Sequence, residues 1–214
     1  MLEIELKDLG KKFRKEWIFR NLNITLKAGQ TYAVIGPNGS GKSTLMQVIS
    51  CMMPANEGII QYIDNQMIID GDDCYKEVVF AAPYLELIEE FTLEESIDFH
   101  RKLKPFENDI SNETFLDFTY LKPHRDKSVK NFSSGMKQRL KLGLALQSEA
   151  RVLILDEPSS NLDEQGFDWY KINVQKHLAN KITLIGSNIQ REYDFCQNKI
   201  QLGDLKRGGK NYFL

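Results

Sequence analysis

The chain has 214 residues, 42% of them hydrophobic and 27% charged, which suits one globular domain with a real core or one domain carrying an inserted subdomain. Its formal net charge is −2, so the basic footprint of a nucleic-acid or anionic-lipid binder is missing and no nucleic-acid partner is expected. Cys51, Cys74 and Cys196 are odd in number, far apart and not in C-x-x-C spacing, which argues against a disulfide framework or a zinc site and for ordinary thiols.

Residues 2 to 7 alternate polar and apolar like a strand and lack the basic-then-apolar order of a signal peptide. No run of about 18 apolar residues follows, so the chain is expected to stay in the cytoplasm, to make no direct membrane insertion, and to act in transport only through a separate membrane partner. Next comes a basic stretch with aromatics, Lys11-Lys-Phe13-Arg14 and Trp17, and then a second alternating run at residues 22 to 26.

A strand-like run, Thr31 to Ile35, leads into Gly36-Pro-Asn-Gly-Ser-Gly-Lys-Ser43, which satisfies G-x-x-x-x-G-K-[S/T] at every fixed position. Glycines there let backbone N–H groups converge on phosphates with no Cβ in the way, and the helix start that follows adds partial positive charge. The expected ligands are ATP and Mg²⁺. Gly36, Asn38, Gly39, Ser40, Gly41, Lys42, Ser43 and Thr44 would cradle the nucleotide, with Lys42 bridging the terminal phosphates and Ser43 ligating Mg²⁺.

Residues 59 to 63 again alternate with period two, which predicts an antiparallel β layer near the N-terminal third. From Leu85 to about Ser148 the character turns helical: Thr92-Leu-Glu-Glu95 opens as a capping box, and Lys137 to Gln147 is rich in strong helix formers. This segment is expected to be a helical subdomain inserted in a single domain spanning 1–214. Val152 to Leu155 and Ile182 to Ile185 are short apolar runs separated by a helical stretch, Phe167 to Leu178, the alternation of a parallel core sheet. Two carboxylates, Asp156 and Glu157, stand at the end of the first of these strands, where α/β folds place ligand chemistry. Asp156 suits the hydrated Mg²⁺ that Ser43 also holds, and Glu157 is free to orient or deprotonate the water that attacks the γ-phosphate. Lys206 to Lys210 reads as a solvated turn before a last short strand.

The stretch Asn131-Phe-Ser-Ser-Gly-Met-Lys-Gln-Arg-Leu140 precedes the carboxylate strand, and Ser159-Ser-Asn-Leu-Asp163 follows it. In this order and spacing the chain resembles the ATP-binding cassette (ABC) ATPases, whose signature is Leu-Ser-Gly-Gly-Gln. Ser133 and Gly135 match it outright, Phe132 takes the Leu place, and Ser134 and Met136 depart. The resemblance runs from Phe13 to Asn188. It implies a P-loop NTPase core with a mostly parallel sheet, an N-terminal antiparallel β subdomain and an inserted helical subdomain. It also implies that Ser133 and Gly135 face a nucleotide held by a second subunit, in a head-to-tail dimer with itself or with another cassette. Phe13 takes the place of an aromatic that stacks on adenine, with Trp17 as the second choice.

Two positions break the family pattern. Tyr84 stands where a Mg²⁺-approaching Gln is usual, and its hydroxyl lacks an amide carbonyl. Asn188 replaces a His after the last core strand and offers an amide donor but no positive charge. His100, His124 and His177 fall outside the motif order. The resemblance therefore implies an ATPase with nearly intact binding and slow turnover, powering an integral membrane permease from the inner face of the cell membrane. A soluble ABC-type ATPase in assembly or regulation, and a P-loop small-molecule kinase, are the alternatives.

Overall fold

The computed structural model describes residues 1–202; the turn and last strand expected around Lys206 to Lys210 lie outside them. In chain order the elements are β1 (Leu2–Phe13), β2 (Glu16–Lys27), β3 (Thr31–Ile35), α1 (Lys42–Ile49), β4 (Glu57–Asp64), β5 (Met67–Ile69), α2 (Cys74–Glu77) and β6 (Val78–Ala81). They continue with α3 (Leu93–Leu103), α4 (Asn112–Thr119), α5 (Ser134–Gln147), β7 (Val152–Asp156), α6 (Glu164–Lys176), β8 (Ile182–Gly186) and β9 (Asn198–Gln201). The chain divides into two compact units.

The first unit holds Met1–Phe80, Arg151–Asp156 and the described residues from 178 to 202. Its antiparallel sheet has the order β2-β1-β4-β5. Leu2, Ile4 and Leu6 point inward from β1, and Ile4 sits between Leu26 of β2 and Tyr62 of β4, the period-two pattern of a half-buried strand. Both flanking strands run past their sequence-predicted limits. Register shifts at Leu6/Leu9 and Lys7/Gly10, with Asp8 at φ 49°, break the alternation, and Leu9, Gly10 and Lys11 are then buried in succession. A bulge of this kind re-aims the strand while hiding its continuation from a periodicity reading. The extension places Phe13 and Trp17 at the tip of one hairpin, where Lys12 pairs with Trp17.

The second sheet of this unit has the order β6-β7-β8-β3-β9, with β7, β8, β3 and β9 paired in parallel. Every residue of β7 and β8 is buried, as strands covered on both faces must be. Leu45, Met46, Val48 and Ile49 of α1 pack into the same core as Val34, Ile154 and Leu184. Parallel strands end on one edge. Gly186 pairs with both Asp156 and Val34, so the ends of β7, β8 and β3 stand level.

The second unit holds Ala81–Ala150 and Glu157–His177. Its core gathers Leu93, Ile97, Phe115, Leu116, Leu140 and Leu144. Thr92 and Glu95 form the reciprocal capping box at the start of α3. The helix after β7 differs from its sequence-based placement: α6 groups with the helical unit, where Trp169 Nε1 donates to Phe118 O at 2.8 Å and the two rings meet edge on. Periodicity identifies a helix, but the partner of its buried face is settled by packing.

Candidate nucleotide site

In the first unit, β3 delivers the chain to the sheet's carboxyl edge and the loop from Gly36 to Gly41 turns it into α1. Ser40 N donates to Pro37 O at 3.1 Å inside that loop. Gly41 is the residue that starts the helix, at φ 103°. A Cβ there would stand 2.2 Å from Ile18 Cγ2, so glycine is required both by backbone conformation and by the close approach of β2. Gly36 and Gly39 complete the glycine frame, Asn38 is exposed and Ser40 is buried.

The helix starts are not built alike. Thr92, Ser111, Ser133 and Asp163 each accept a backbone N–H at the starts of α3, α4, α5 and α6. α1 has no side-chain cap and no acid in its first turn. Of the five described helices with eight or more residues, it is the one whose leading N–H groups no side chain finishes, the arrangement that receives an anion. Lys42, 6% exposed, turns its ammonium into the loop, donating to Gly36 O at 2.8 Å and Pro37 O at 3.3 Å. A cation enclosed by loop carbonyls, beside open N–H donors, fits a phosphate group.

Asp156 is buried at the end of β7, and Ser43 lies one residue into α1. A carboxylate and a hydroxyl are hard oxygen donors that suit Mg²⁺, which keeps water and phosphate oxygens as its remaining ligands. Among the described residues no three His, Cys, Asp or Glu side chains cluster into a metal cage. Asn188, just after β8, donates its Nδ2 to Asn38 Oδ1 at 3.2 Å; the sequence offered no sign of this pair. Phe13 is 46% exposed. The Lys11 ammonium lies 5.4 Å from the centre of its ring, whereas Trp17, half-buried, meets two cations, the Arg20 guanidinium at 4.5 Å and the Lys12 ammonium at 5.1 Å, which makes Phe13 the more accessible of the two aromatics.

The remaining predicted site residues belong to the second unit. Tyr84 lies in an exposed turn after β6, so Ser43, Asp156 and Tyr84 are not gathered within one unit. Lys141 of α5 holds the neighbouring turn by donating to Pro83 O at 2.7 Å. Glu157 opens the turn after β7. Ser133 is the N-terminal cap of α5: its Oγ accepts Met136 N–H at 3.2 Å, which leaves the hydroxyl proton to donate outward. Gly135 packs against the 157–163 segment, where a Cβ would meet Asn161 O at 2.9 Å. Beside this helix start an open groove of about 380 Å³ is lined by Tyr120, His124, Ser133, Gly135, Arg139 and Asn161. Sequence reasoning passed over Gln138, whose buried Nε2 donates to Pro158 O at 2.8 Å; its position three residues beyond Gly135, on the same helical face, was the available signal.

A family model described as ABC transporter matches residues 19–160. Over 163 residues the chain is 31% identical to the uncharacterized ABC transporter ATP-binding protein YcbN of Bacillus subtilis, spanning 76% of this chain and 53% of that protein. The chain spans about half the length of the curated relatives it matches. Among solved structures, an ABC transporter ATP-binding protein from Pyrococcus furiosus superposes with a TM-score of 0.79 at 20% identity, covering 95% of this chain and 98% of that one. A bacterial ABC transporter cassette solved as a dimer superposes with a TM-score of 0.76 at 21% identity, covering 92% and 93%. These structural likenesses establish the expected fold class.

Proposed function

The chain belongs to the ABC transporter family, and on that premise we propose that it binds and hydrolyses Mg-ATP and powers a separate membrane permease through ATP-driven dimerisation. The observation that carries this reading is the start of α1, the long-helix start left without a side-chain cap and paired with an enclosed lysine. Among the described residues no helix is long and apolar enough to cross a membrane. The cassette would then work in the cytoplasm, on the inner face of the cell membrane.

Each role follows from residue chemistry. Lys42 and the N–H groups of α1 receive the terminal phosphates, and Phe13 stacks on the adenine. Ser43 and Asp156 hold Mg²⁺, which when bound neutralises phosphate charge. Glu157 takes the proton of the attacking water. Asn188, tied to Asn38, offers an amide donor at the loop in place of a positive imidazole. From a second copy, or another cassette, the Ser133 hydroxyl and the backbone N–H groups around Gly135 complete the site. That a cassette of the same fold was solved as a dimer supports dimerisation. Tyr84 supplies a hydroxyl where the family's amide carbonyl usually approaches the metal.

Removing a general base costs about 10²- to 10⁴-fold in turnover. Glu157→Gln should therefore accumulate an ATP-bound dimer, seen in light scattering as a doubled mass with Mg-ATP. A variant that stays monomeric at saturating nucleotide sinks the proposed dimer. Asn188→His should raise the steady-state ATPase rate about tenfold or more, since one well-placed transition-state donor is worth about 10²- to 10³-fold. An unchanged rate removes Asn188 as the cause of slow turnover.

A further inference from the structure

The turn that carries Glu157 is held in an unfavourable conformation. Glu157 has φ 43°, the left-handed region that a residue with a Cβ occupies only when its surroundings fix it there. Glu157 O accepts Ser160 N–H at 3.0 Å, and Ser159 O accepts Leu162 N–H at 3.0 Å. Pro158, between them, has no N–H and offers only its carbonyl. That carbonyl accepts the Gln138 amide at 2.8 Å, and Gln138 is 3% exposed. On the same face of α5, Gly135 lies against Asn161 O, and Arg139 approaches Asp163 at 3.9 Å. Residues i, i+3 and i+4 of one helix thus hold the segment from Pro158 to Asp163 at three points.

We propose that Gln138 is a positioning residue for Glu157: by holding Pro158 O, its buried amide keeps the turn in its left-handed start and aims the Glu157 carboxylate. The inference rests on the proposed function, in which that carboxylate activates water. Arg139 and Gly135 hold the far end of the segment, but Gln138 grips the residue next to Glu157. Without it the turn relaxes, and a displacement of about 1 Å at a catalytic group costs on the order of 100-fold.

The test is Gln138→Met, close in volume and without a donor, with Gln138→Leu as a second variant should the first fail to fold. In nucleotide-free protein the Ser160 and Leu162 amides should exchange hydrogen about tenfold faster or more, while amides of β3 and β8 keep their rates. Turnover should drop by about 10- to 100-fold with KM changed by less than about twofold, the split expected when only the reacting geometry is lost. In a Glu157→Gln background the same substitution should lower residual turnover no further, because the two residues act through one group. Unchanged exchange at Ser160 and Leu162, or losses that multiply in the double variant, overturns the proposal. Failure of the underlying reading looks different: Glu157→Gln alone would leave turnover at the native level, and the positioning role would fall with it.

Discussion

At the start of α1 the chain supplies glycine, an inward-turned lysine and no capping side chain; at the start of α5 it supplies Ser133, which caps the helix, and a glycine pressed against the chain's own Asn161 carbonyl. Both are positive helix ends. The first leaves its N–H groups for something that is not protein. The second has been largely finished from within and keeps one hydroxyl proton and a shallow groove to offer outward. The contrast teaches that an anion site and an anion-completing surface need different amounts of self-satisfaction. In the proposed function the primary site has to stay open, whereas a surface that would meet a ligand already bound to a partner is stable on its own.

The contrast can be broken at the two glycines, and this is the largest expected effect. Gly41→Ala forces a Cβ to φ 103° and onto Ile18, at a steric cost of about 1–2 kcal/mol, and should weaken Mg-ATP binding by about 5- to 30-fold in calorimetry. Gly135→Ala should leave nucleotide affinity of the single chain within about twofold, because in the proposed function Gly135 meets the nucleotide of the partner cassette, yet abolish the ATP-dependent dimer in light scattering. Equal loss of binding in both variants would erase the distinction drawn between the two helix starts.

A smaller effect sharpens the comparison between the two units. His100 lies in the helical unit, its ring stacked on Phe106 and its Nε2 2.7 Å from Ser148 Oγ. Since Ser148 donates its own proton to Leu144 O at 2.6 Å, His100 donates from Nε2. Burial, with Lys104 acting in the same direction, holds its pKa down from 6.5 to about 4. The unfolded chain takes up this proton near pH 6.5 and the folded chain only near pH 4, so stability is complete above pH 6.5 and is lost as pH falls towards 4. Between pH 7 and 5 the loss should be on the order of 2 kcal/mol. Hydrogen exchange should speed up in α3 and α5 more than in β3 and β8 over that interval, and His100→Phe should flatten the dependence. Uniform acceleration in both units would assign the acid sensitivity elsewhere.

Much of the local structure of the candidate site was legible because it is written in short segments. The loop from Gly36 to Ser43, the carboxylates Asp156 and Glu157 and the box at Thr92 each depend on residues within a few positions of one another. The hairpin extension of β1 and β2 was not legible, because bulges interrupt the alternation that periodicity reads. The choice between Phe13 and Trp17 was not either, since it turns on how far each ring is exposed once Lys11 lies over Phe13 and both Arg20 and Lys12 lie over Trp17.

By itself, then, the sequence determined the family, the phosphate loop and the strands around it, β3, β7 and β8, since backbone conformation and local hydrogen bonding respond to neighbouring residues. Only the tertiary structure decided that Asn188 meets Asn38 across 150 residues, that Gln138 reaches Pro158, and that α6 gives its buried face to the helical unit. Those outcomes depend on which surfaces are desolvated together, and burial is a property of the packed chain rather than of any stretch of it.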